Sequence, residues 1–154
     1  MNARERYEKI RKKYKMPKLE ELEDMFAFKL AKDSENDLYD ICKGILESID
    51  FSKEILENIL FLHEGSPPSN IYEANFIETR ECFRIYRKIM ELKWKYVKTY
   101  FDSNEKNLAE FINESYKNWD EKIKKYLIDL SERMEKAWKN YKEKDKKNNQ
   151  TYLG

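Results

Sequence analysis

Residues 38–62 read LYDICKGILESIDFSKEILENILFL, and this stretch decides the fold. Its apolar residues recur every three or four positions, which is the spacing of a helix face wide enough to line a core. The sequence allows a break near 50–52, because Ser52 is a residue type that caps a new helix. Gly65 and the segment SPPS at 66–69 predict the end of this helix and a loop.

The apolar spacing continues toward the N-terminus of this stretch. Leu19, Leu22 and Phe26 predict a short helix over 19–28. A turn is predicted before the long helix, where Ser34 and Asp37 stand at the spacing of a capping box.

Two further helices are predicted on the C-terminal side, from about 70 to 101 and from about 105 into the 140s. Asn70 and Glu73 stand at cap spacing for the first of these helices. The connection over 102–104 is short, so the second should fold back antiparallel to the first. The apolar stripe of the 70–101 helix is predicted at Tyr72, Phe76, Thr79, Phe83, Tyr86, Met90, Trp94, Val97 and Phe101, widened by Ile85 and Ile89.

These elements together predict an all-α fold. It is an antiparallel helical bundle of three long helices, with a shorter fourth helix packed on it and a basic N-terminal arm. We assign 1–17 to the arm or a short helix, 18–142 to the bundle and 143–154 to a polar C-terminal tail. The arm and the tail are expected to lie outside the bundle.

Composition agrees with a helical protein. Among 154 residues, 40% are charged and only three each are Gly and Pro, which is typical of long helices. No apolar run exceeds four residues, so neither a membrane span nor a signal peptide is expected, and we predict a cytoplasmic protein. Cys42 and Cys82 are expected to be reduced and buried. A single Gln beside many Lys and Glu fits a thermophile, although twelve Asn argue against this.

The sequence lacks the common motifs of catalysis. Three glycines leave no room for a Gly-rich phosphate loop, and no serine stands in a nucleophile-elbow pattern. His63 is the only histidine, and one histidine cannot build a metal site of several His and Cys ligands. We therefore predict no catalytic residue, no cofactor and no enzymatic activity.

One acidic pattern has an alternative interpretation. Glu20, Glu21 and Asp24 on one helix, followed by Glu47 and Asp50 on another, resemble the paired acidic motifs of the MazG-type helical pyrophosphohydrolases. The resemblance implies that these carboxylates hold Mg²⁺ over a nucleoside triphosphate. Asp24 departs from the family, which has Glu there. A solvated acidic face explains the same residues, since segment 18–65 contains thirteen acidic residues against five basic ones.

Charge is distributed unevenly, which raises nucleic-acid binding as a second alternative. The arm contains seven basic residues against two acidic ones. Arginine suits phosphate because its guanidinium is a planar fork of donors. Intramolecular pairing with the acidic segment explains the same charges. The candidate nucleic-acid surface is the arm together with a ridge formed by Arg80, Arg84, Arg87, Lys88, Lys95 and Lys98.

The remaining signal is the aromatic content of 14%. A bundle of this size needs only part of that supply in its core, and exposed Tyr and Trp beside Arg are typical of protein–protein contacts. The leading prediction is therefore a non-enzymatic helical interaction protein, either an adaptor or a small subunit of a larger assembly. It is expected to bind a protein partner or to self-associate, and not to bind a membrane.

Overall fold

The computed structural model describes residues 1–61, 71 and 78–152, and the side chains of these except 120, 121 and 142–152. The described residues form helices and no strand, which confirms the all-α prediction. The helices are α1 (Ala3–Tyr14), α2 (Leu19–Phe26), α3 (Asp37–Leu60), α4 (Thr79–Phe101), α5 (Glu105–Asn118) and α6 (Lys124–Tyr152), with a π-helical turn (Trp119–Ile123) between α5 and α6.

Helix α3 lies at the centre of the bundle and packs against α4 and α5. Its buried row includes Ile41, Ile45, Ile49 and Leu56, as its apolar spacing predicts. The break allowed near 50–52 does not occur. Ser52 instead donates its hydroxyl hydrogen to the carbonyl of Ser48 at 2.8 Å, a bond that a serine can make inside a continuous helix.

The N-terminal segment is not an arm outside the bundle, so that prediction is wrong. It forms α1, and Ala3 and Tyr7 are fully buried in the common core. The Tyr7 hydroxyl donates to the Pro17 carbonyl at 2.8 Å, which holds α1 against the start of α2. A capping box between Asn2 and Glu5 begins the helix.

Two buried carboxylates bind the basic side chains of α1. Glu23 accepts two hydrogen bonds from Arg4, at 3.0 and 2.9 Å, and one from the Leu30 backbone N–H at 3.0 Å. Asp37, the first residue of α3, accepts a bidentate pair of hydrogen bonds from the Arg6 guanidinium, each 2.8 Å long. The charge of the arm is therefore used to hold α1 onto α2 and α3.

Helix α3 starts at a different cap from the predicted one. The side chain of Asn36 accepts a hydrogen bond from the backbone N–H of Tyr39, so Asn36 is the N-cap. Ser34 lies two residues earlier and donates to the Asp40 carboxylate at 2.6 Å. Ser34 and Asp37 do not form the predicted capping box.

The predicted 70–101 helix is not continuous: Ile71 is helical, but Glu78 has extended backbone and α4 starts at Thr79. Several residues named in the predictions lie outside the described residues: His63, Gly65, the loop at 66–69, Asn70, Tyr72, Glu73 and Phe76.

The long helix predicted from 105 is interrupted by the π turn. Trp119 begins that turn and packs its ring 5.3 Å from the Phe26 ring of α2. The backbone of α6 then stays helical to Tyr152, through the segment predicted as a tail.

Gly44 lies where α3 passes closest to the segment after α2. A methyl group at Gly44 would lie 2.6 Å from Cγ and 2.9 Å from Cβ of Phe28. Replacing a helix-interior glycine by alanine usually stabilises a protein by about 1 kcal/mol. Because of this clash we expect Gly44→Ala to destabilise by about 1–2 kcal/mol, measured by urea denaturation.

The double variant Gly44→Ala with Phe28→Ala serves as the control for this prediction. Alanine at position 28 removes the ring atoms that make the shortest contact and leaves only the Cβ at 2.9 Å, so part of the clash is relieved and the two effects should be non-additive. A Gly44→Ala protein that is more stable than the wild type would show that Phe28 does not pack closely over α3.

Candidate interaction surface

Helix α4 carries two apolar rows at helical spacing, and the buried one contains Ile85 and Ile89, which were predicted only to widen the core stripe. The aromatic row lies outside, with Phe83 51%, Trp94 65% and Phe101 81% exposed. The predicted core stripe of this helix is therefore wrong. Both rows have the helical period, so spacing alone does not show which of them faces α3 and α5. The buried row consists of Cys82, Ile85, Ile89, Leu92 and Tyr96.

The exposed row has the spacing of a coiled-coil interface. Its members alternate at four and three residues, which is the a/d pattern of a heptad repeat. Over three heptads the row is roughly 27 Å long, at 1.5 Å per residue. Val97 and Met90 are half-buried and the other members are exposed. We call this row the α4 seam; it consists of Phe83, Arg87, Met90, Trp94, Val97 and Phe101.

Further aromatic rings extend the seam at both ends. The Phe83 ring lies 6.3 Å from the Tyr86 ring, which in turn lies 5.9 Å from the exposed Phe61 ring at the end of α3. At the other end, the Tyr100 and Phe101 rings meet edge to face at 5.3 Å. Ring contacts thus extend the apolar surface at each end of the seam, while Arg87 separates Phe83 from the rest of the row.

The predicted basic ridge flanks this seam, and part of it is neutralised within the chain. Arg84 pairs with Glu81 at 2.5 Å, Arg87 approaches Glu91 at 3.7 Å, and Lys95 pairs with Glu114 of α5. Arg80 and Lys98 are exposed and have no ion pair within the part of the chain that the structure describes. The ridge therefore keeps a positive charge beside the apolar seam.

Further positive charge comes from the π turn and the start of α6. Lys122 lies beside Lys88 of α4, and this neighbour, together with burial and Arg84, lowers the pKa of Lys88. Lys122 and Lys125 line a cavity of about 250 Å³ with Arg84, and Glu81 and Asp129 also line it. The three basic side chains outnumber the two carboxylates, which leaves a small net positive charge beside α4.

Most of the basic residues of the N-terminal segment are paired within the chain. Arg4 and Arg6 bind the buried carboxylates described above, Arg11 pairs with Glu8 at 2.8 Å, and Lys13 pairs with Glu105 of α5 at 2.8 Å. Intramolecular pairing therefore accounts for four of the seven basic residues of this segment, while Lys9, Lys12 and Lys15 are exposed and have no ion pair among the described residues. Glu105 connects α1 to the start of α5 in the same way, since it also accepts from the Tyr14 hydroxyl at 2.9 Å.

The five acidic residues of the pyrophosphohydrolase pattern are not brought together. Glu20 pairs with Arg4 at 3.0 Å, Glu21 accepts from the Lys18 backbone N–H at 2.8 Å, and Asp50 pairs with Lys93 of α4 at 2.7 Å. Asp24 and Glu47 are exposed. Within the described ranges, no three Asp, Glu, His or Cys side chains are placed to hold a metal ion. The geometry gives the Mg²⁺ interpretation no support.

Cys42 and Cys82 are free and buried, as predicted. Burial raises the pKa of both thiols, although a hydrogen bond with Tyr126 lowers that of Cys82 in part. A thiol with a raised pKa is a poor nucleophile near neutral pH. Neither cysteine is placed to act as a reactive group.

Comparison with protein-family models, curated proteins and solved structures finds no match to this chain. The resemblance of the acidic motif to a pyrophosphohydrolase family is thus not supported by a family match. In the part of the chain that the structure describes, no helix combines the length and apolar character needed to cross a membrane.

Proposed function

We propose that this chain is a helical interaction protein of the cytoplasm, an adaptor or a subunit of a larger assembly, and that the α4 seam is its docking surface. The observation that carries the proposal is the exposure of Phe83, Trp94 and Phe101 along one heptad row. A helix that leaves such a row uncovered has the surface that pairs with a second helix in coiled coils.

The size of the exposed apolar surface supports this proposal. A large aromatic side chain buries about 150–250 Å² when it is covered completely. At the observed exposures, the three aromatic residues together leave on the order of 400 Å² uncovered, before Phe61 and Tyr100 are added. Apolar patches of a few hundred Å² are often functional on soluble monomers, and this area lies in that range.

The proposal predicts that binding depends on the seam while folding does not. In the double variant Trp94→Ser with Phe101→Ser, capture of partners from a native lysate should fall at least tenfold, because Trp and Phe are typical binding hot spots. The free energy of unfolding should change by less than about 0.5 kcal/mol, since both side chains are exposed. Quantitative affinity capture and urea denaturation measure the two effects.

Phe51→Ser provides the matched control, because Phe51 of α3 is 66% exposed and lies outside the seam. This variant should capture the same partners as the wild type. Equal capture by the seam variant and the wild type would contradict the proposal.

Nucleic-acid backbone binding is the second candidate function, and the grouping of Lys88 with Lys122 favours it. The same capture experiment separates the two functions. A nucleic-acid partner is lost on nuclease treatment, and its affinity falls steeply with salt because phosphate contacts release counterions. A protein partner that binds through the apolar seam survives the nuclease.

A further inference from the structure

We infer that the occupant of the α4 seam is an amphipathic helix of another protein, with apolar residues at its a and d positions and Asp or Glu at the flanking positions. This inference rests on the proposed function. It adds the chemistry of the partner, which is determined by the charges beside the seam.

The geometry of the seam defines what fits on it. Phe83, Met90 and Val97 occupy d positions, and Arg87, Trp94 and Phe101 occupy a positions. Knobs-into-holes packing along such a row requires a partner helix of about three heptads. Arg87 interrupts the apolar row once, and a single polar residue at an a position is a feature that specifies the register of a pair.

The residues that flank the row call for negative charge on the partner. One flank consists of Arg84, Glu91 and Lys98, and the other of Tyr86, Lys93 and Tyr100. Lys93 already pairs with Asp50 and Glu91 lies near Arg87, so the uncompensated charge belongs to Lys98 and to Arg80 at the start of the row. The e and g positions of a coiled coil choose the partner through interhelical ion pairs.

Lysines of the neighbouring π turn and of the start of α6 add to this positive charge. Lys122 of that turn lies beside Lys88, and Lys122 and Lys125 of α6 line one cavity with Arg84, together with the carboxylates Glu81 and Asp129. Carboxylates along that edge of a bound helix would reduce the repulsion between Lys88 and Lys122. Acidic side chains of the partner should therefore contribute more binding free energy on the Arg84 side than on the Tyr86 side.

A second copy of this chain is a poor occupant for the same reason. Antiparallel pairing of two seams places Phe83 opposite Phe101 and Met90 opposite Trp94. In that register the flanks meet like with like: Arg84 faces Lys98 of the other copy, and Glu91 faces Glu91. Like-charge contacts across an interface cost free energy, so the seam selects against self-association.

A designed peptide pair tests this inference on the full chain. The probe is a fluorescein-labelled helical peptide of three heptads with Leu at a and d and Glu at e and g. Its matched control has Lys at e and g. We expect the Glu peptide to bind at least tenfold more tightly than the Lys peptide, by fluorescence anisotropy, with an affinity that falls as salt rises.

Charge reversal on the protein should exchange the preference. In the double variant Arg84→Glu with Lys98→Glu, the Lys peptide should bind more tightly than the Glu peptide. The single variant Lys98→Glu keeps the Arg84–Glu81 pair, so it should only reduce the difference in affinity between the two peptides. Circular dichroism verifies that each variant is folded. Equal binding of the two peptides to the wild type, or a preference that survives reversal, would overturn the inference.

Sedimentation velocity distinguishes failure of this inference from failure of the proposed function. One outcome is a wild-type dimer that becomes a monomer in the double variant Trp94→Ser with Phe101→Ser. The seam would then be an interface, but its occupant would be a second copy of the chain. This result would overturn the acidic-helix inference alone. A monomer that binds neither peptide, and whose lysate partners are unchanged by the seam variant, would overturn both.

Discussion

Replacing Phe111 by alanine is expected to lower the free energy of unfolding by about 3–5 kcal/mol. Phe111 of α5 is fully buried and packs edge to face on Tyr96 of α4, with ring centroids 5.5 Å apart. The substitution removes the ring from the contact between α4 and α5 and leaves a cavity that neighbouring helices cannot fill by small shifts. Urea denaturation followed by circular dichroism measures the change.

Phe51→Ala is the control for this substitution, because it removes the same side chain from an exposed position on α3. We expect a change below about 0.5 kcal/mol there. A loss of less than about 1 kcal/mol for Phe111→Ala would mean that α5 does not cover α4 as described.

The second large effect is expected for Glu23, where Glu23→Ala should cost about 2–4 kcal/mol. The carboxylate is only 3% exposed and accepts hydrogen bonds from Arg4, Lys29 and the Leu30 backbone N–H. Its removal leaves the Leu30 donor unsatisfied and releases α1 from α2. Thermal and urea denaturation, read by circular dichroism, measure the loss.

Glu20→Ala is a matched control, because Glu20 is the exposed second partner of Arg4. Exposed ion pairs contribute about 0–1 kcal/mol, so this variant should resemble the wild type. Equal effects of the two substitutions would mean that Glu23 is not the residue that holds α1.

The pH dependence provides an independent check on Glu23. Burial raises the pKa of its carboxyl group, but hydrogen bonds from Leu30, Arg4 and Lys29 lower it by more, so the net pKa lies below the ordinary value. Stability from such a group is present above the unfolded-state pKa of about 4.3 and is lost as the pH falls through the folded-state pKa. The difference in Tm between wild type and Glu23→Gln should therefore shrink below about pH 4.

The sequence predicts the fold class because α3, α2 and the long C-terminal helical region each have an unambiguous apolar row. It allows the short helix α1 but not its place in the bundle, because basic residues dominate its composition and hide the few positions that enter the core. Tyr7 and Ala3 share one helix face. The residues near Arg4 and Arg6 in the sequence, however, do not indicate that these side chains pair with the buried Glu23 and Asp37. Contacts between residues 19 or 31 positions apart depend on how the helices pack, which local spacing does not define.

The candidate surface was only partly predictable for a related reason. Aromatic surplus and a basic ridge on the fourth helix are visible in the sequence, but the row containing Phe83 and Trp94 reads as core. Since α4 is apolar on two faces, the face that meets α3 and α5 is settled by shape and volume at the contact, where Ile85 and Ile89 pack. The buried row from Cys82 to Tyr96 has the same seven-residue spacing as the outer row, so spacing alone does not distinguish the two.

The two buried thiols also allow local opening of the helical bundle to be measured. Cys42 lies beneath the Leu108 carbonyl of α5, at 3.7 Å, and Cys82 lies next to Tyr126 of α6. A thiol reagent reaches either sulfur only while the surrounding helices are transiently apart, so its reaction rate reports how often that part of the molecule opens. Cys42 reports on α5 lifting from α3, and Cys82 on α6 lifting from α4, without any introduced probe.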